Sequence, residues 1–137
     1  MTYTGQPIPS TQVSIARAKV GDGKSVKVTV PAETTIQAQT FVLLDGFFGL
    51  AMDNVETGAG ETAEVTLSIE QAEYETDNIV TTDAFDKGDK VYWDGSKFTT
   101  AADDGGDPAT EYRLIGRVTA SKDASNVIRF ILLPQQG

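Results

Sequence analysis

The chain has one Gly-Lys-Ser step, in Gly21-Asp22-Gly23-Lys24-Ser25. A lysine and a hydroxyl behind a glycine turn can cradle phosphate. That chemistry needs an earlier glycine five positions before Gly23 and a helix after the turn, whose N-terminus receives the anion. Position 18 is alanine, and the following Val-Lys-Val-Thr-Val alternates like a strand. The segment reads as a hairpin turn, and nucleotide hydrolysis is set aside. Two acidic runs, Asp83 to Asp89 and Asp103 to Pro108, raise the question of calcium. An EF-hand register wants side-chain oxygens at its first, third and fifth positions. Counted from Asp83, the third is Phe85. Asp103, Asp104 and Asp107 could still gather round a cation in an irregular loop, although a solvated acidic turn is the commoner use of such a run.

Acid–base chemistry has raw material in Glu61, Glu64, Glu70, Glu73, Glu75 and Asp77. Spacing alone selects no pair among them. Histidine and cysteine are both absent, which removes imidazole bases, thiolate nucleophiles, disulfides and the usual zinc ligands together. No catalytic residue, cofactor site or metal site is assigned, and a non-enzymatic role is expected.

The remaining chemical candidate is aromatic. Lys87 to Thr100, KGDKVYWDGSKFTT, contains the only tryptophan of the chain and sets Tyr92, Trp93 and Phe98 around Asp94-Gly95. A sugar-stacking platform needs exposed, coplanar rings. If the stretch is a hairpin, alternation puts Val91 and Trp93 on one face and Tyr92 on the other. That arrangement favours a structural hairpin with its rings in a core.

The elements that must position these groups are strands. Val26, Val28 and Val30 share one parity, as do Val65, Leu67 and Ile69, with polar residues between them. Such alternation marks half-buried strands. Val13 and Ile15 alternate less cleanly. TFVLL and NVIRFILL are continuous apolar runs, which fit strands buried on both faces. Turn signals separate the runs at short spacing, and Asp-Gly at 45–46 and 94–95 predicts two-residue hairpins. Ile69 to Ile79 offers a short helix or a β-bulge. The expectation is eight to ten strands in an all-β sandwich or barrel, compact and jelly-roll-like, over residues 13–137. Residues 1–12, with Pro7 and Pro9 and no periodicity, are expected to form an extended N-terminal arm.

Bulk properties narrow the partners. The chain has 137 residues and a net charge of −9, and residues 31–86 hold twelve carboxylates and no Lys or Arg. An acidic body repels phosphate, so nucleic acid is not expected as a partner. No apolar run approaches the roughly 18 residues of a membrane helix, and no membrane partner is expected. The first residues lack a basic start and an apolar stretch, so synthesis in a cytoplasm is expected.

The order of the pieces resembles a family, the small capsid decoration, or cement, proteins of tailed bacteriophages. The matching pieces are VKVTVPAETTIQAQTFVLLDGFFGLAMDNVETGAGETAEVTLSIEQAEYE, then FDKGDKVYWDGSKFTT, then LIGRVTAS before a closing apolar strand. Two departures are Gln39, where a glycine is expected, and the insertion ADDGGDPATEY. The resemblance implies a structural protein without chemistry or cofactor. It would bind the outside of an assembled capsid, bridge neighbouring coat subunits and stabilise the virion. The major capsid protein is then the partner, with self-association on the shell left open. The arm becomes a capsid contact, with Tyr3, Pro7, Ile8 and Pro9 as its contact residues. The alternative is a carbohydrate-binding β-sandwich of a phage tail or cell surface, using Trp93, Tyr92 or Tyr112.

Overall fold

The computed structural model describes residues 18–135. Among them are eleven strands and no helix. The first six are β1 (Ser25–Val30), β2 (Thr35–Ile36), β3 (Phe41–Leu44), β4 (Phe47–Ala51), β5 (Val55–Glu56) and β6 (Ala63–Ser68). They build a four-stranded sheet ordered β1-β6-β4-β3 and a small β2-β5 pair. The remaining five are β7 (Glu73–Thr76), β8 (Lys90–Trp93), β9 (Phe98–Thr99), β10 (Arg113–Ala120) and β11 (Ile128–Leu132). They form one sheet ordered β7-β11-β10-β8-β9. Every named pair is antiparallel.

Both larger sheets curl. At the tip of the β3–β4 hairpin the Asp45 carboxylate accepts the Thr29 N–H of β1 at 2.7 Å, drawing the two ends of the first sheet together. In the second sheet Ile79, beyond β7, bridges in parallel to Phe98 of β9. Curling of this kind leaves fewer unpaired edges for unwanted strand addition.

The alternating segments behave as expected. Val28 and Val30 of β1 and Val65 and Leu67 of β6 are buried, and β1 runs in strict register against β6 from Ser25↔Ser68 to Val30↔Ala63. The continuous runs divide. In β3, Phe41 packs into an aromatic core, while Val42 and Leu44 pack against an aliphatic one. That strand is therefore apolar on both faces because it lies between two cores, with only Leu43 exposed, at 41%. In β11 the run is one-sided. Ile128, Phe130 and Leu132 point inward, Arg129 is exposed and Ile131 is half-buried. Ile69 to Ile79 forms neither a helix nor a bulge. The chain leaves the first sheet after Ser68 and enters the second at Glu73, so the apolar parity changes because the sheet changes.

The aliphatic core fills the first sheet with Val28, Val30, Ile36, Ala51, Val65 and Leu67. The aromatic core fills the space between the sheets. Phe41 and Phe48 enter it from the first, and Trp93, Phe98 and Phe130 from the second. A side chain from near the C-terminal end of the described residues ties the two sheets. Gln135 accepts the Phe48 N–H at 2.8 Å and donates to the Phe48 carbonyl at 2.9 Å. Its amide thus imitates one residue of a neighbouring strand. Arg113 donates to the same Gln135 oxygen at 3.2 Å. Replacing Gln135 by alanine strands these groups, at a cost of about 1–3 kcal/mol for leaving partly buried donors and acceptors unpaired. Urea unfolding should show this as a lower midpoint at unchanged slope. A wild-type midpoint would refute the tie.

Candidate interaction surfaces

The contact residues expected from the sequence, Tyr3, Pro7, Ile8 and Pro9, lie outside the described residues, as does the arm over residues 1–12. The other sequence candidates can be placed.

Trp93 is buried at 8% exposure. Its ring lies 5.0 Å from Phe48 and 5.3 Å from Phe98, both inclined steeply to it. Val91, on the same face, is fully buried. Tyr92 lies on the opposite face and is half-buried. Among the described residues no ring pair includes Tyr92 or Tyr112. The sequence alternation was sound, and the rings make a core rather than a platform.

The turn that carries these rings differs from expectation. Trp93 pairs directly with Phe98, so four residues make the loop where two were expected. Asp94 directs it. Its Oδ1 accepts the N–H of Ser96 at 2.8 Å and of Lys97 at 2.7 Å, while its own N–H donates to the Lys97 carbonyl at 3.0 Å. Partial burial pushes the Asp94 carboxyl up, but the hydrogen bonds from Ser96 and Lys97 outweigh it and hold it below the ordinary value.

The acidic insertion uses its carboxylates on its own backbone. Asp103 Oδ1 accepts the Gly105 N–H at 2.9 Å. Asp104 Oδ1 accepts from Gly106 at 2.8 Å and from Thr110 at 3.0 Å. Asp103 also forms an isolated bridge with Glu111. Among the described residues no three acidic side chains gather as a metal would require. Hydrogen bonds from the Thr110 and Gly106 backbones hold the Asp104 carboxyl below its ordinary value. Partial desolvation, then the charges of Asp104, Asp94 and Asp103, push the neighbouring Tyr112 hydroxyl up.

These bonds carry a pH dependence. The folded-state pKa of Asp104 is depressed, so its bonding to the loop is fully present above the unfolded value of about 3.9. It is lost as pH falls through the lower, folded value. The amide resonances of Gly106 and Thr110 should therefore titrate together below pH about 4, and Asp104→Asn should abolish that titration. Amides that titrate above pH about 4, or that titrate unchanged in Asp104→Asn, would contradict it.

Lys24 of the Gly-Lys-Ser turn pairs with Glu70 at 3.4 Å, and a strand, β1, rather than a helix follows it directly. Lys122 plays a comparable structural part. Its Nζ donates to the carbonyls of Thr81 at 2.7 Å and Asp83 at 2.8 Å. The Asp83 carboxylate in turn accepts the buried Thr99 hydroxyl at 2.6 Å and the Thr100 N–H at 3.1 Å. These contacts close the loop ahead of β8, and the first acidic run is thereby part of the fold.

One feature of the outer surface was not visible along the chain. Strands β8, β10 and β11 lie side by side. Their sequences, KVYW, RLIGRVTA and IRFIL, contain four cations and no carboxylate, in a chain with 20 acids against 11 bases. Of the four, Arg113 turns inward to Gln135, and Lys90, Arg117 and Arg129 are exposed. Arg129 lies across from Glu75 of β7, which leaves Lys90 and Arg117 as the cations without an acid opposite.

Comparison with known proteins bears on nearly the whole described region. A family model described as phage cement protein matches residues 20–134. Neither a curated protein nor a solved structure matches the chain.

Proposed function

The chain belongs to the phage cement protein family, a family of structural, capsid-associated proteins, and from that membership we propose that it binds the outer surface of an assembled phage head and bridges neighbouring coat subunits. The observation that carries this reading is the extent of the family match, which spans both sheets and the aromatic core between them. The major capsid protein is the partner, and the virion exterior is the place of action after synthesis in the host cytoplasm. The role is mechanical and non-enzymatic. Each contact gains from repetition, because a symmetric shell presents identical sites at fixed spacing.

Within this proposal residues 13–137 act as one β domain and residues 1–12 as an arm that reaches the shell. Tyr3 and Ile8 supply apolar anchors, and Pro7 and Pro9 keep the segment extended. Co-sedimentation of the purified chain with undecorated heads of the source phage tests the role. Saturable, stoichiometric binding is expected, weaker at high salt. Removal of residues 1–10 is expected to abolish binding while leaving the thermal transition in place. Truncated protein that decorates heads as well as the full chain does would dispose of the arm. Absence of binding by the full chain would dispose of the cement role.

A further inference from the structure

The outward face of the five-stranded sheet sets two like charges side by side. Lys90 of β8 lies directly across from Arg117 of β10. Cross-strand neighbours on one face stand close, and like charges there are destabilising. No carboxylate on either strand relieves them. Among the described residues the ion pairs are Lys19–Asp22 and Lys24–Glu70, and neither touches this face. The Arg117 guanidinium donates to the Gly88 carbonyl at 2.9 Å, which holds it over the β8 end of the sheet.

Apolar groups flank the two cations. Arg117 pairs across β11 with Ile131, which is half-buried. Tyr92 pairs with Leu114 in the adjoining outward row, and both are half-buried. The face therefore combines an unneutralised pair of cations with partly exposed apolar groups. Isolated solvated charges would be cheaper if spread among the acids that dominate the rest of the surface. The nearest carboxylate beyond the two cations in their row, Glu73 of β7 opposite Ile131, is engaged by the Thr119 hydroxyl of β10 at 2.5 Å. Cations beside aromatic and aliphatic groups match the composition of a contact surface that meets carboxylates.

The geometry points to this face, the outward side of β8, β10 and β11, as a docking surface for an acidic strip of the coat protein. The assignment rests on the cement reading, since family membership supplies the partner, and the charge of the face supplies that partner's chemistry. Lys90 and Arg117 would meet coat carboxylates, with Tyr92, Leu114 and Ile131 packed beside them.

The test uses Lys90→Glu in the full chain, with Lys27→Glu on β1 of the other sheet as a control. Lys90 faces Arg117, so its reversal turns a repulsive cross-strand pair into an attractive one, and the melting temperature should hold or rise. Binding to undecorated heads at low salt should instead weaken roughly tenfold or more. Lys27→Glu should bind like wild type. Opposite movements of stability and binding would separate docking from a structural role. A Lys90→Glu protein that decorates heads like wild type overturns the assignment and leaves the cement role intact. A wild-type chain that fails to bind removes both. If sedimentation shows wild type associating with itself and Lys90→Glu abolishing that association, with head binding unchanged, the occupant is a second copy and the coat assignment is wrong.

Discussion

Gly116→Ala is expected to remove most or all of the folding stability, although it adds one methyl group. Gly116 lies in β10, paired to Leu132 of β11 and to Val91 of β8. A Cβ placed there would sit far inside van der Waals contact with the carbonyl oxygen of Ile131, and the carbonyl carbon would lie 3.1 Å away. Both atoms belong to the backbone of the neighbouring strand, so no side-chain rotation relieves the overlap. The ladder between β10 and β11 must open, and the Val118↔Phe130 pair beside it brings a fully buried ring. Overpacking commonly costs about 1–3 kcal/mol when side chains can yield. Here the backbone must move, and a loss of more than about 4 kcal/mol is expected. A domain holds only about 5–15 kcal/mol in total.

The cause is close approach rather than backbone conformation, because Gly116 is not among the residues with positive φ. It sits where the β8–β10 register shifts between Leu114 and Gly116, and such a bulge tightens the local twist. Gly49 of β4 is a milder case. A Cβ there would lie 2.5 Å from the Ser68 carbonyl oxygen and 3.0 Å from a methyl of Ile69. Gly21 is the control, since nothing lies within 4 Å of a Cβ built on it. Thermal unfolding followed by circular dichroism should therefore rank the alanine variants as Gly21 like wild type, Gly49 lower, and Gly116 lowest or unfolded. A Gly116→Ala protein melting like wild type would show that the strands part without penalty.

Local pattern made the strands legible, and tertiary packing hid the rest. Period-two alternation located β1 and β6 because each has one face in a core and one in water. The same dipeptide, Asp-Gly, gave different turns. At 45–46 both residues take positive φ, 52° and 81°, and Leu44 pairs with Phe47 across a two-residue turn. At 94–95 burial of Trp93 opposite Phe98 sets the register, and the Asp94 carboxylate folds the two extra residues into the loop. The dipeptide itself does not distinguish those outcomes. Gln39 shows the reverse. A glycine was expected there, and its φ is 68°, a region that glycine enters freely and other residues enter at a cost. The cationic face escaped the sequence reading because its three strands are separated along the chain and adjacent only in the sheet. The alternative of a carbohydrate platform finds no support at Trp93, which is claimed, as its alternation indicated, by a core whose other rings include Phe41, Phe48 and Phe130, all far from it in sequence.

That core carries the second large expectation. Phe98→Ala should cost about 3–5 kcal/mol, the range for emptying a buried aromatic site. Phe98 has no solvent exposure. Its ring centroid lies 5.0 Å from Phe130, 5.3 Å from Phe41, 5.3 Å from Trp93 and 5.7 Å from Phe48. Edge-on ring pairs contribute beyond the area they bury, and several share this one ring, so their losses will not add simply. Two of the partners, Phe41 and Phe48, belong to the four-stranded sheet, and Phe98 belongs to the other. The substitution therefore empties the contact between the sheets as well as the core of one. The only tryptophan touches the same ring, so its emission reports the site directly. Phe98→Ala should shift that emission to the red and lower the urea midpoint together. If the midpoint falls while the emission stays at its wild-type wavelength, the loss lies elsewhere and the ring cluster is not what joins the sheets. For a chain that bridges neighbouring coat subunits, as proposed, the joint between sheets is where force would pass from one contact surface to another. A cavity at Phe98 should then weaken head stabilisation at temperatures where the variant is still folded and still bound.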